Sequence, residues 1–181
     1  MTFEKSVSQL AGLGEKERSE VIRQAFERDR KQMVLLLALQ FGVPEEEIVR
    51  AMPSELVEKL DPDRWEAMIR QFEDLGDVHV IVSNGAVTLE NVGRFGKFSS
   101  SQGFFNVQTE SLDMHIRAEA LASVYALRKP SHTDGKDALS FQFFDREGAA
   151  AFKVFLTFGG KDPSPERRAQ YQEIIERFCA K

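Results

Sequence analysis

Cysteine is almost missing: Cys179 is the only one in 181 residues. No internal disulfide can form, and a reducing cytosol is the compartment that fits. Without a Cys-x-x-Cys pair or a Cys/His cluster, no structural zinc site is expected. Long apolar runs are missing too. The longest, Met33 to Leu39, falls far short of the about 20 residues that cross a bilayer, so no membrane insertion is expected. The start, Met1-Thr2-Phe3-Glu4-Lys5, has no apolar stretch of the kind a secretory signal needs. Positive charge is not in excess, with 24 Lys and Arg against 29 Asp and Glu and a formal net charge of −5. That disfavours general nucleic-acid binding and adhesion to anionic membranes. No Gly-x-Ser-x-Gly elbow is present, and Gly93, Gly96 and Gly103 do not fit the spacings of phosphate-binding loops.

What the chain does have is phenylalanine, 15 against 2 Tyr and 1 Trp. Phe fills cores, and it also lines pockets for flat apolar ligands. The stretch from about Ser19 to Phe41 lacks Gly and Pro and reads as one helix, stopped by Gly42. Pro44 suits the first turn of a second helix, with Glu45, Glu46 and Glu47 where the helix dipole favours negative charge. A third helix opens at Asp61-Pro62-Asp63 and carries the stripe Trp65, Met68, Ile69, Phe72 and Leu75. After Gly76 the apolar period drops from about 3.6 to 2. Val78, Val80 and Val82 alternate, and Asn84-Gly85 predicts a two-residue hairpin turn. The segment Gly93 to Gly103 reads as an open loop. Strands follow at Phe104 to Thr109, Leu112 to Ala118, Val124 to Arg128, Leu139 to Phe143 and Phe152 to Phe158, and Ser164-Pro165 opens a final helix. The class is α+β: a helical N-terminal part over 1–75, then an antiparallel meander sheet and a C-terminal helix over 76–181, read as one domain over 1–181.

The stretch Leu112 to Glu119 is the most informative chemically. Alternation along a strand puts Asp113, His115, Arg117 and Glu119 on one face. An imidazole is a common axial ligand of haem iron, and a guanidinium beside it suits a carboxylate through charge-assisted hydrogen bonds. On pattern alone a solvated sheet face carrying ordinary polar residues is the commoner reading. His79 alternates with valines and reads as a half-buried structural histidine, and His132 reads as a solvated loop residue. The segment Ala38 to Glu45 resembles the turn of a helix-turn-helix, although the helix after it is acidic where it would meet phosphates.

Several segments together resemble the HutX/ChuX family of intracellular haem-utilisation proteins. They are Phe41-Gly42-Val43-Pro44 with Ile48 to Pro53, the hairpin Val80 to Glu90, and Gly103-Phe104-Phe105-Asn106-Val107. Met114 to Glu119 follows, and then Phe143 to Gly148 with Lys153 to Leu156. The resemblance implies a cytoplasmic haem carrier with haem b as cargo, built like half of the two-repeat haem-trafficking proteins and forming a homodimer. It also implies a haem importer or a haem-degrading enzyme as partner. It assigns the iron to His115. A second histidine of some members falls on Ser83 here, leaving either a single histidine with water or a second ligand such as His79, His132 or Tyr125. On this reading Arg117 meets a propionate, Phe104 or Phe105 covers the porphyrin, and Arg94 and Lys97 add cationic contacts by loop position. Two alternatives stand beside the carrier: a haem-degrading enzyme, and a dimeric interaction or regulatory module that has lost haem binding.

Overall fold

The structure, a computed structural model, describes residues 10–180. Helix α1 (Glu15–Arg28), α2 (Val34–Phe41) and α3 (Glu45–Ala51) come first. The sequence predicts one helix through 19–41, but it breaks at Asp29. The run Arg28 to Gln32 supplies no apolar residue to bury, and the Asp29 carboxylate accepts from the Lys31 amide, a local bond that competes with the helical ladder. Gly42 closes α2 in the left-handed region, at φ 65°. A short strand β1 (Val57–Leu60) follows. Its charged middle hides it from pattern reading, and pairing with a distant strand makes it. Then come α4 (Trp65–Arg70), flanked by 3-10 turns, and the strands β2 (Asp77–Ser83), β3 (Thr88–Arg94), β4 (Phe98–Ser101), β5 (Phe104–Gln108) and β6 (Asp113–Arg117). Strands β7 (Leu121–Pro130), β8 (Asp137–Asp145) and β9 (Ala150–Phe155) precede helix α5 (Pro165–Phe178), which Ser164 caps by accepting from the Arg167 amide.

The strands form two antiparallel sheets. One has six strands in the order β1-β7-β8-β9-β2-β3, the other three in the order β4-β5-β6. One face of the large sheet packs Tyr125, Leu127 and Phe144 against Ile22, Phe26, Leu37, Phe41 and Ile48 of the N-terminal helices. The other face packs Val80, Phe141, Phe143 and Val154 against α4, α5 and the inner side of the small sheet, where Phe105, Val107 and Ile116 are buried. Most phenylalanines therefore serve the core. Phe72, for example, stacks on Phe141 with ring centroids 5.2 Å apart.

Two turns depart from expectation. Ser83 pairs with Thr88, so Asn84 to Val87 makes a four-residue loop. The Asn84 Oδ1 accepts from the amides of Ala86 and Val87, which favours the longer loop. The tight two-residue turn lies instead at Gln102-Gly103, with φ 50° and 81°, inside the segment read as an open loop. Phe95 and Phe98 draw that segment onto the core, and Ser99 to Ser101 then form β4. A 3-10 turn at Ala118–Ala120 separates β6 from β7 and moves the chain from the small sheet to the large one.

Candidate functional site

The small sheet turns one side to the core and the other to solvent. Its register fixes what the outer side presents. Ser101, Phe104 and Arg117 form one row, and Ser99, Asn106 and His115 the next. Gln108 and Asp113 form a third. The strand pattern is why: apolar residues alternate inward and polar ones outward, with a rise of about 3.4 Å per residue.

His115 stands in the middle row with its side chain 55% exposed. Its Nδ1 lies 2.7 Å from the Asn106 Oδ1, and Asn106 Nδ2 donates to the Ser99 Oγ at 3.1 Å. Nε2 points outward, with a carboxylate oxygen of Asp113 at 3.5 Å. Arg117 is exposed and has no ion-pair partner among the described residues, so its guanidinium is free to take an incoming carboxylate. Phe104 is 41% exposed and lies directly across from Arg117.

The structure therefore brings together His115, Arg117 and Phe104, while Lys97 lies in the turn before β4 with φ 56°. It does not bring the other two candidates to this face. Phe105 points inward at 1% exposure, edge-on to Trp65 with centroids 5.3 Å apart, and cannot cover a ligand lying on His115. Arg94 pairs across from Asp77 and so shares the face of His79 and Val92, on the far side of the large sheet. Its guanidinium lies beside Gly76 and Arg167. Sequence reasoning also passed over Asn106 and Ser99 as site residues. Their polar side chains sit at outward positions of their strands, a signal that appears only once the cross-strand register is known.

The alternative second ligands fare differently. Tyr125 is 4% exposed on the helix-covered face of the large sheet and donates its hydroxyl to Glu46 at 3.0 Å; burial first, and then that carboxylate, raise its pKa far above the ordinary phenol value. His79 contacts Glu90 at 3.0 Å between Phe155 and Phe158. Ser83 lies on that same side, its hydroxyl accepting from Thr88 Oγ1. His132 is an exposed residue of the β7–β8 connection. None of the four shares the outer side of the small sheet.

A depression of about 620 Å³ lies between α1 and the connection from α3 to β1, but Arg23, Glu27, Arg28 and Glu55 among its walls suit no flat apolar ligand. A smaller one of about 260 Å³ lies at the β4–β5 turn, between Phe104, Phe105, Ala118 and Glu66 of α4, beside the row of Phe104 and not over His115. The segment that resembles a helix-turn-helix is a packing device. Helix α3 buries Ile48, Val49 and Ala51, and its acidic first turn is engaged: Glu45 with Lys153, Glu46 with Tyr125 and Glu47 with Arg18. No metal-ligating group of three or more His, Cys, Asp or Glu exists among the described residues, and no helix there is long and apolar enough to cross a membrane.

These features define an α+β class of protein: an antiparallel sheet, backed by helices, that offers an imidazole and an unpaired guanidinium on an open face. The chain belongs to the family described as the haemin-degrading HemS.ChuX domain, which matches residues 42–178. It is 27% identical over 161 residues, 88% of this chain and 79% of the other, to a protein of Vibrio cholerae named intracellular heme transport protein HutX. It is 26% identical over 122 residues to the hemin transport protein HmuS of Yersinia pestis, where the match covers 67% of this chain but only 34% of that one. Among solved structures, ChuX superposes with a TM-score of 0.76 at 21% identity, over 86% of this chain and 96% of that one. Apo-PhuS, a heme-binding protein from Pseudomonas aeruginosa, superposes with 0.74 at 21% identity, over 94% of this chain and 49% of that one. This fold thus occupies about half of the PhuS chain, as the sequence reading expects.

Proposed function

We propose that this chain is a haem carrier that holds haem b as cargo on the outer side of the small sheet. His115 Nε2 ligates the iron, Arg117 pairs with a propionate and Phe104 lies against the porphyrin edge. The observation that carries this reading is the outward Nε2 with a free guanidinium one row away, in a chain whose family relatives bear the names of haem transport proteins. Lys97, in the turn before β4, is assigned to a second carboxylate. The openness of the face favours carriage over ring opening, because cargo that must be handed on needs a way out, whereas oxygen chemistry gains from an enclosed, water-excluding pocket.

One side of a flat ligand on this face is left to something else, and we assign it to a second copy of the chain. The edge strand β3 and its hairpin offer apolar surface to such a partner, since Val87 and Leu89 are more than half exposed there. Residues 1–181 then act as one domain of a cytoplasmic homodimer that passes haem between an importer and a degrading enzyme.

A haem titration followed at the Soret band tests this on the wild type and on His115→Ala. The expected result is saturable binding near one haem per chain, weakened at least about tenfold in the variant. Absence of saturable binding overturns the carrier, and so does loss of the Soret band on adding a reductant in air, which marks ring opening. Equal binding by His115→Ala moves the iron elsewhere.

A further inference from the structure

The outer row Ser99–Asn106–His115 does more than place an imidazole. A neutral histidine in water carries its proton mainly on Nε2, the nitrogen that faces outward here. A ring in that form has no lone pair to offer iron. Asn106 is buried at 8% exposure, and its amide oxygen lies 2.7 Å from Nδ1. An oxygen there can only accept, so it holds the ring proton on Nδ1 and leaves Nε2 free. On the amide's other side Nδ2 lies 3.1 Å from the Ser99 hydroxyl, which accepts from it in this orientation. Turned the other way, the amide would donate to Nδ1 and force the proton onto Nε2. Asp113, at 3.5 Å from Nε2, pulls in that opposite direction.

We infer that Asn106 is a positioning residue that fixes His115 in the Nδ1–H tautomer and so makes it competent to bind haem iron. The inference rests on His115 being the iron ligand, yet its first test needs no haem. Partners of this kind behind a metal-bound histidine are typically worth about 10- to 100-fold in affinity.

The experiment is long-range proton–nitrogen NMR on histidine-labelled protein without haem at neutral pH, followed by haem titration. In the wild type His115 is expected to show a protonated Nδ1 and a bare Nε2. Asn106→Leu should move the proton to Nε2 and weaken haem binding about tenfold. Asn106→Asp keeps an acceptor and should keep the Nδ1–H form. A wild type with Nε2–H as its main form overturns the inference. So does an Asn106→Leu protein, folded by circular dichroism, whose tautomer or haem affinity is unchanged, and so does an Asn106→Asp protein with the proton on Nε2. If the tautomers behave as expected while His115→Ala binds haem like the wild type, the assignment of the iron has failed and not the tautomer control.

Discussion

Phe104 and Phe105 are neighbours in sequence and opposites in role, and truncating each to alanine separates the two. Phe105 is 1% exposed, edge-on to Trp65 at 5.3 Å, 5.5 Å from Phe98, and covered by the Arg70 guanidinium at 5.1 Å. Phe105→Ala removes a buried ring and leaves a cavity that strands β4 to β6 cannot collapse without losing register. The expected cost is about 3–5 kcal/mol, a large part of the roughly 5–15 kcal/mol that a typical domain has in total. Phe104 is 41% exposed. Of the roughly 200 Å² that a phenyl side chain can bury, that leaves about 80 Å² for a ligand to cover, worth up to about 2 kcal/mol at about 25 cal/mol per Å². Phe104→Ala is therefore expected to cost under about 1 kcal/mol of stability and to weaken haem binding about tenfold. Urea unfolding followed by far-ultraviolet circular dichroism measures the first quantity and Soret titration the second. Equal loss of stability in the two variants, or a Phe105→Ala protein as stable as the wild type, refutes the sheet orientation on which the site depends.

Arg117→Ala should weaken haem binding several-fold and reduce its sensitivity to salt, because the lost contact is a solvent-exposed charge pair; a salt titration of affinity for both proteins reads this. Lys153→Met strands the Glu45 carboxylate, whose side chain is 8% exposed, and should cost about 3–5 kcal/mol, whereas Glu45→Met with Lys153→Met should recover most of it. Urea unfolding of the single and double variants decides, and a single-variant cost near zero refutes the account. Lys129 has its pKa lowered to about 8, chiefly by burial, with Lys153 adding repulsion and Asp29 opposing. Because the folded pKa lies below the unfolded one, the cost of a buried charge is in force below about pH 8 and fades as pH rises toward the unfolded value. Wild-type stability relative to Lys129→Met should thus climb between pH 8 and 10, by at most about 1.4 kcal/mol per pH unit; a flat difference across that range contradicts it.

The sequence by itself determined the class and much of the order. The break of period at Gly76, the stripe from Trp65 to Leu75 and the alternation through Met114-His115-Ile116-Arg117 are local signals, each set by how a helix or strand divides its side chains between core and water. They placed α4, most of the strands and α5, and put His115 and Arg117 on one face. The tertiary structure decided what depends on partners distant in the chain. Leu60 and its short strand exist because β7 offers a ladder, and Ser99 to Ser101 became a strand because Phe95 and Phe98 are held in the core. Loop position alone aims Arg94 at the site, whereas pairing with Asp77 fixes it on the far side of the large sheet. Asn106 joined His115 only through cross-strand register. Periodicity reports which side of its own strand a residue takes, but which residues of other strands stand beside it is set by pairing and packing, and a single sequence carries no local signal for either.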